Sequence, residues 1–215
     1  MKTRMVGLAV LFAVTVAGSA LAGPIGTTLD ASPGLVVMPD RPILISLHDT
    51  MRQQWADHTV WSRMVVMGVL APMEGCEFYE DRLARNDKDL EALFAQFYGN
   101  AAEKFGLLIQ THNKIESELL YAMKSDDQKF RSILTDWYKN ADEIAVLLSQ
   151  LNPKYWPREE MSQIWRMHLD TSLDQAFAFN KGDWQYDVMS FDSLQQQSTK
   201  MADFLSDGIL KQFSK

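Results

Sequence analysis

Three histidines stand at near-equal steps along this 215-residue chain: His58, His112 and His168, separated by 54 and 56 residues. A sequence that resembles itself at a fixed period is assembled from one repeated supersecondary unit, which constrains the fold before any single residue is interpreted. The agreement extends around each histidine. Three residues earlier lie Trp55, Ile109 and Trp165, seven earlier lie Met51, Phe105 and Met161, and nine later lie Met67, Tyr121 and Phe177. Further on, Arg85-Asn86-Asp87-Lys88-Asp89-Leu90 falls on Lys139-Asn140-Ala141-Asp142-Glu143-Ile144 at the same step of 54. The third counterpart, Met201 through Ser206, aligns only after an insertion of about five residues.

The repeated unit is a helical hairpin. From Ile43 onward the apolar positions recur at helical spacing, with almost none of the alternation that marks a strand. Breakers divide this stretch. Pro72 and Gly75 separate helices over 43–70 and 76–97, and Tyr98-Gly99 ends the second. A third helix is expected over 100–124, with Ser125-Asp126-Asp127 supplying a turn and an N-cap for a fourth over 127–151. Asn152-Pro153 and Pro157 end that helix, because proline cannot continue the hydrogen-bond ladder. Helices over 158–180 and 184–213 follow, turned by Lys181-Gly182-Asp183. The expected fold is an all-α bundle of three antiparallel helical hairpins, a single domain over 43–213, with the third hairpin longest.

The N-terminus reads as an export signal. Lys2 and Arg4 precede an apolar run from Met5 to Val16 and small residues ending Ala20-Leu21-Ala22, a cleavage pattern before Gly23. Residues 23–42, rich in proline and glycine, read as an extended leader. A secreted or periplasmic protein is expected, and no later segment reaches the about 18 uninterrupted apolar residues of a membrane span. The net charge of -7 argues against a nucleic-acid partner, which attracts basic patches. Cys76 is the sole cysteine, so no intrachain disulfide forms, and stability must come from helix packing with 12 Met and 6 Trp.

Reflecting each histidine through its hairpin turn finds the residue opposite. His58 reflects to Asn86, His112 to Asn140 and His168 to Gln196, with Asp89, Glu143 and Gln197 within one helical turn of these. The neighbours on each histidine's own face are largely apolar, including Trp55 and Trp165. One reading is therefore a core histidine satisfied by an amide across the hairpin. A second is convergence of the three imidazoles on a transition metal ion, with Glu143, Asp89 or Glu116 as carboxylate ligand or support. A third is an organic ligand or anion held by the same groups, with Asn86, Asn140, Asp142, Trp55 and Arg63 as contacts. The metal reading requires all three first helices to line one axis, since neighbouring helix axes lie roughly 8–10 Å apart.

Other patterns point less sharply. The absence of an E-x-x-H pair disfavours a di-iron carboxylate site, and the absence of C-x-x-C-H excludes covalent haem, leaving a non-covalent haem on a His and a Met open. Arg63 suits a carboxylate clamp or an ordinary ion pair. Trp137-Tyr138, Tyr155-Trp156 and Trp184 with Tyr186 suit core closure or ligand stacking. No Gly-rich phosphate loop, G-x-S-x-G or Cys-His pair is present, so an enzyme ranks below a binding protein and below a structural or interaction module.

Leu47, Trp55-Ala56-Asp57-His58-Thr59-Val60-Trp61-Ser62-Arg63, Trp137-Tyr138-Lys139-Asn140-Ala141-Asp142-Glu143-Ile144-Ala145, and Met201-Ala202-Asp203 through Ser206-Asp207-Gly208-Ile209 carry a resemblance. In these segments the chain resembles an uncharacterised family of small exported bacterial helical-bundle proteins, over about 44–213. Some members bear automatic names such as acetylglutamate kinase or glycosyltransferase. Those names imply α/β folds with nucleotide-binding loops, and no such loop is present here, so no activity is carried over. The family pattern favours His or another polar residue near Gln197.

Overall fold

Helix ends fall where the sequence cannot sustain the i→i−4 ladder. The computed structural model describes residues 41–214 apart from residues 72 and 126. The signal-peptide reading and all but the last two residues of the leader lie outside that range. Six helices follow in order: α1 (Arg41–Leu70), α2 (Cys76–Tyr98), α3 (Ala101–Met123), α4 (Asp127–Leu151), α5 (Arg158–Lys181) and α6 (Trp184–Phe213). Among the described residues there is no strand. Helix α1 starts two residues earlier than expected, taking in Pro42, because proline in a first turn forfeits only an N–H that has no intrahelical partner.

The turn between α5 and α6 shows how tightly the local chemistry fixes a hairpin. Gly182 closes α5 at φ 72°, a left-handed conformation that a Cβ would strain, and its N–H returns to Ala178 and Phe179 carbonyls. One residue later Asp183 opens α6, its Oδ1 accepting from the Tyr186 N–H at 3.1 Å.

The helices form a closed circuit. Each packs against its neighbours in sequence, α6 returns to α1, and α1 also touches α3 and α5. The first helix of every hairpin therefore contributes to a common interior. Met51, Phe105 and Met161 are fully buried, as are Trp55, Ile109 and Trp165 one turn further along. The histidines come next, then Ser62, Glu116 and Ser172, all buried. Polar residues thus occupy two successive levels of the interior.

Above the histidines the core is largely aromatic. Phe94 stacks on Phe105 at 4.2 Å between centroids, and Tyr98, Trp156 and Phe213 close that end. Trp156 reaches the Phe204 carbonyl through its indole N–H at 3.2 Å, and Asn152 donates to the Gly208 carbonyl at 2.9 Å. Gly208 permits this approach, since a Cβ there would overlap the Trp156 indole. At the opposite end Gly68 lets α1 lie against the half-buried Cys76. No described helix is long and apolar enough to cross a membrane.

Candidate functional site

The same three-atom link ties the two helices of the second and third hairpins. His112 Nδ1 lies 2.8 Å from Asn140 Oδ1, and Asn140 Nδ2 donates to the Leu108 carbonyl at 3.2 Å. His168 Nδ1 lies 3.0 Å from Gln197 Oε1, and Gln197 Nε2 donates to the Ile164 carbonyl at 3.0 Å. In both, the amide reaches the carbonyl four residues before the histidine. The first hairpin keeps half of the link: Asn86 Nδ2 donates to the Gln54 carbonyl at 3.0 Å and to Gln54 Oε1 at 2.9 Å. Asn86 Oδ1 lies close enough to His58 to oppose the fall in its pKa. Yet neither Asn86 Oδ1 nor His58 Nδ1 completes a bond of good geometry.

This arrangement assigns the tautomers. An amide NH₂ engaged with a carbonyl turns its oxygen toward the imidazole, so Nδ1 of His112 and His168 must carry the proton. Nε2 is then left with a lone pair. On His112 that nitrogen is buried without a partner among the described residues.

The imidazoles share one layer. Ring centroids of His58 and His168 are 5.6 Å apart, and those of His112 and His168 are 6.5 Å apart. Indoles surround them: Trp55 at 5.3 Å from His58, Trp165 at 5.6 Å from His112, and Trp137 stacked on His112 at 5.2 Å. The indole N–H groups of Trp55, Trp137 and Trp165 are all buried with no acceptor among the described residues. Each unsatisfied buried donor costs about 1–3 kcal/mol.

Burial holds the imidazoles neutral. It drives His112 down to about 3, with His168 adding to the fall and Asn140 opposing it. It drives His168 to about 4 against Gln197, and His58 well below 6.5, helped by the other two histidines. One turn below, burial has the opposite effect on acids. Glu116, which accepts from Ser62 Oγ at 3.0 Å, is pushed up to about 7. Asp87 is also pushed up to about 7 by burial, with Asn113 opposing through a 2.6 Å bond and Glu116 adding to the rise.

The structure separates the residues expected from the sequence. His58, His112, His168, Trp55, Asn86 and Asn140 lie in or against this layer. Glu143 does not: it is exposed, lining a groove of about 360 Å³ with Lys104, Lys139 and Arg158. It points away because Ala141, Ile144, Ala145 and Leu148 form the inner face of α4. Asp89 is exposed for a like reason, since Asn86, Leu90 and Leu93 face inward. Asp142 forms a solvent-exposed pair with Arg166 at 2.8 Å. Arg63 grips Asp187 with two bonds of 3.0 and 2.6 Å, and Asp187 also accepts from Gln175 at 2.7 Å. Burial raises the Asp187 pKa, but these bonds outweigh it and leave the group below the usual carboxylate range. The partner of His168 is Gln197, not Gln196, which is exposed.

Asp87 and His48 escaped the sequence reading. Of the three carboxylates named beside the histidines, Glu116 alone is buried, at the His+4 position shared with Ser62 and Ser172, and Asp87 is a further buried carboxyl near it. The fourth histidine, His48, lies 2.8 Å from Ser206 Oγ and 3.1 Å from Asp207, a Ser-His-Asp chain. It lacks a usable nucleophile, because Ser206 is fully buried and gives its proton to the Ala202 carbonyl at 2.7 Å.

Comparison with known protein families, with curated proteins and with solved structures gives no match for this chain.

Proposed function

We propose that this chain is an exported binding protein whose histidine layer takes up a divalent transition-metal ion through the Nε2 atoms of His58, His112 and His168. The observation that carries this is the commitment of Nδ1 to amide oxygens at His112 and His168, which leaves Nε2 lone pairs on neutral imidazoles in one buried layer. A ligating histidine ordinarily gives its other nitrogen to such a partner. Neutrality favours it as well, because metals displace protons from imidazolium. His112 Nε2, buried without a partner among the described residues, carries such a lone pair.

Three imidazoles on one tetrahedral ion place their centroids about 5 Å apart, given metal–nitrogen bonds of roughly 2 Å. The separations of 5.6 and 6.5 Å exceed this. Among the described residues no group of three His, Cys, Asp or Glu stands at metal-holding distance. Binding therefore requires His58 and His112 each to close on His168, by about 0.5 and 1.5 Å, and to approach one another.

The amide links also favour a second reading, a non-catalytic structural or interaction module whose histidines are core residues. Metal analysis of the tag-free chain after dialysis against zinc or cobalt(II) separates the two. One equivalent of ion, a raised melting temperature and loss of both in His168→Ala are expected. No stoichiometric ion, with melting unchanged by zinc, copper or iron, leaves the core reading.

A further inference from the structure

Between α2 and α3 a cleft of about 300 Å³ opens beside Glu80, Asp81, Asp87, Gln110, Asn113 and Lys114. Three of these six are acidic and one is basic. Asp87 and Asn113, both more than nine-tenths buried, are joined by the 2.6 Å bond from Asn113 Nδ2. Asn113 Oδ1 has no hydrogen-bond partner among the described residues. A buried amide oxygen beside a carboxyl presents hard oxygen donors of the kind that bind a divalent cation.

The oxygens continue inward. Glu116, close enough to Asp87 to influence it electrostatically, bonds Ser62 across the α1–α3 contact. Ser62 and Glu116 each lie four residues, one helical turn, beyond His58 and His112. Asn113 is the residue next to His112. Polar side chains thus lie both at the cleft and at the level beneath the imidazoles.

We propose that the α2–α3 cleft is the uptake route for the cation, which first meets Glu80 and Asp81, then binds transiently at Asp87 and Asn113 Oδ1, and passes Glu116 to the histidines. This rests on the metal reading of the histidine layer. Acidic rims concentrate cations and raise association rates in a salt-dependent way, and a carboxyl on the path exchanges aqua ligands for protein oxygen. No net chemistry is required: the ion loses water, and any carboxyl proton it displaces leaves to solvent.

The experiment is stopped-flow uptake of cobalt(II) by the full chain, read by quenching of indole fluorescence, with final stoichiometry read by absorption. Asp87→Asn is expected to slow uptake by about tenfold, and Glu80→Gln with Asp81→Asn by a few-fold with weaker salt dependence, all reaching one equivalent. Glu159→Gln with Asp192→Asn, an equal charge change on α5 and α6, is the control and should match the unmodified chain. If the unmodified chain binds one equivalent and the cleft variants match it or the control in rate, the route is wrong while the metal site stands. If the unmodified chain takes up no cobalt, the metal site and the route fail together.

Discussion

His112 Nδ1 and Asn140 Oδ1 meet at 2.8 Å inside the bundle, and that contact fixes both the orientation of the imidazole and the nitrogen it leaves free. Asn140→Leu keeps the volume and removes the acceptor, stranding a buried N–H. A loss of about 1–3 kcal/mol is expected from the urea midpoint. Adding His112→Phe removes the stranded donor, and the double variant should recover part of that loss, since replacing both partners by apolar groups is close to neutral. A double variant less stable than the sum of the singles would contradict the pairing.

Acid should destabilise the protein in two stages. Between pH 4.5 and 6.5 the unfolded chain protonates three histidines that the native state keeps neutral, their folded pKa values being about 3, about 4 and well below 6.5. In the same window the native state retains protons on Asp87 and Glu116, both near 7, that the unfolded chain has released. Three unfolded-state protons against two give a fall of about 1.4 kcal/mol per pH unit as pH drops. Below about pH 4 the unfolded carboxyls protonate too, which keeps stability falling, while His168 and then His112 begin to protonate in the native state and moderate the slope. Above 6.5 the sign reverses, because the raised carboxyls lose their stabilising contribution as pH climbs through 7. Melting temperature against pH should therefore peak near 6.5, and Glu116→Gln should double the slope between 4.5 and 6.5. A profile rising steadily from pH 6 to 8 would contradict the buried protonated acids.

Arg63→Ala should cost about 3 kcal/mol, because it strands the Asp187 carboxylate in a nearly solvent-free position with only Gln175 to bond it. Arg63→Lys should restore little, since the two-bond grip needs the guanidinium fork. Chemical denaturation checks both, and a loss under half a kilocalorie would mean the pair is solvent-screened.

Gly208→Ala places a methyl where the Trp156 indole lies, and overpacking of this kind costs about 1–3 kcal/mol. A lower melting temperature with a shifted Trp156 fluorescence is expected. An unchanged melt would show that Trp156 can move aside.

Helix number and most boundaries were legible because the breakers are chemically unambiguous: Pro72 with Gly75, Tyr98-Gly99, Asn152-Pro153 and Gly182 each interrupt the backbone ladder. Reflection through the turns found Asn86 and Asn140 but missed Gln197 by one residue. The third hairpin turns through two residues at Gly182-Asp183, and one residue along a helix rotates a side chain by 100°, which moves it from core to solvent. The same rotation explains Glu143 and Asp89. Proximity along the helix suggested them, while the inner faces are set by Ala141, Ile144 and Leu90. Trp137, read as closing the core or stacking on a ligand, is a core residue, and its partner His112 lies across the same hairpin, a contact that leaves no mark at local spacing.

The most direct measurement is the long-range ¹H–¹⁵N spectrum of the imidazoles with and without zinc. His112 and His168 are expected as Nδ1–H tautomers at pH 7 before addition. One equivalent of zinc should then move the Nε2 resonances of His58, His112 and His168 together while Nδ1 keeps its proton. Nε2–H tautomers at the outset, or Nε2 resonances that ignore zinc, would contradict a metal site built on these three nitrogens.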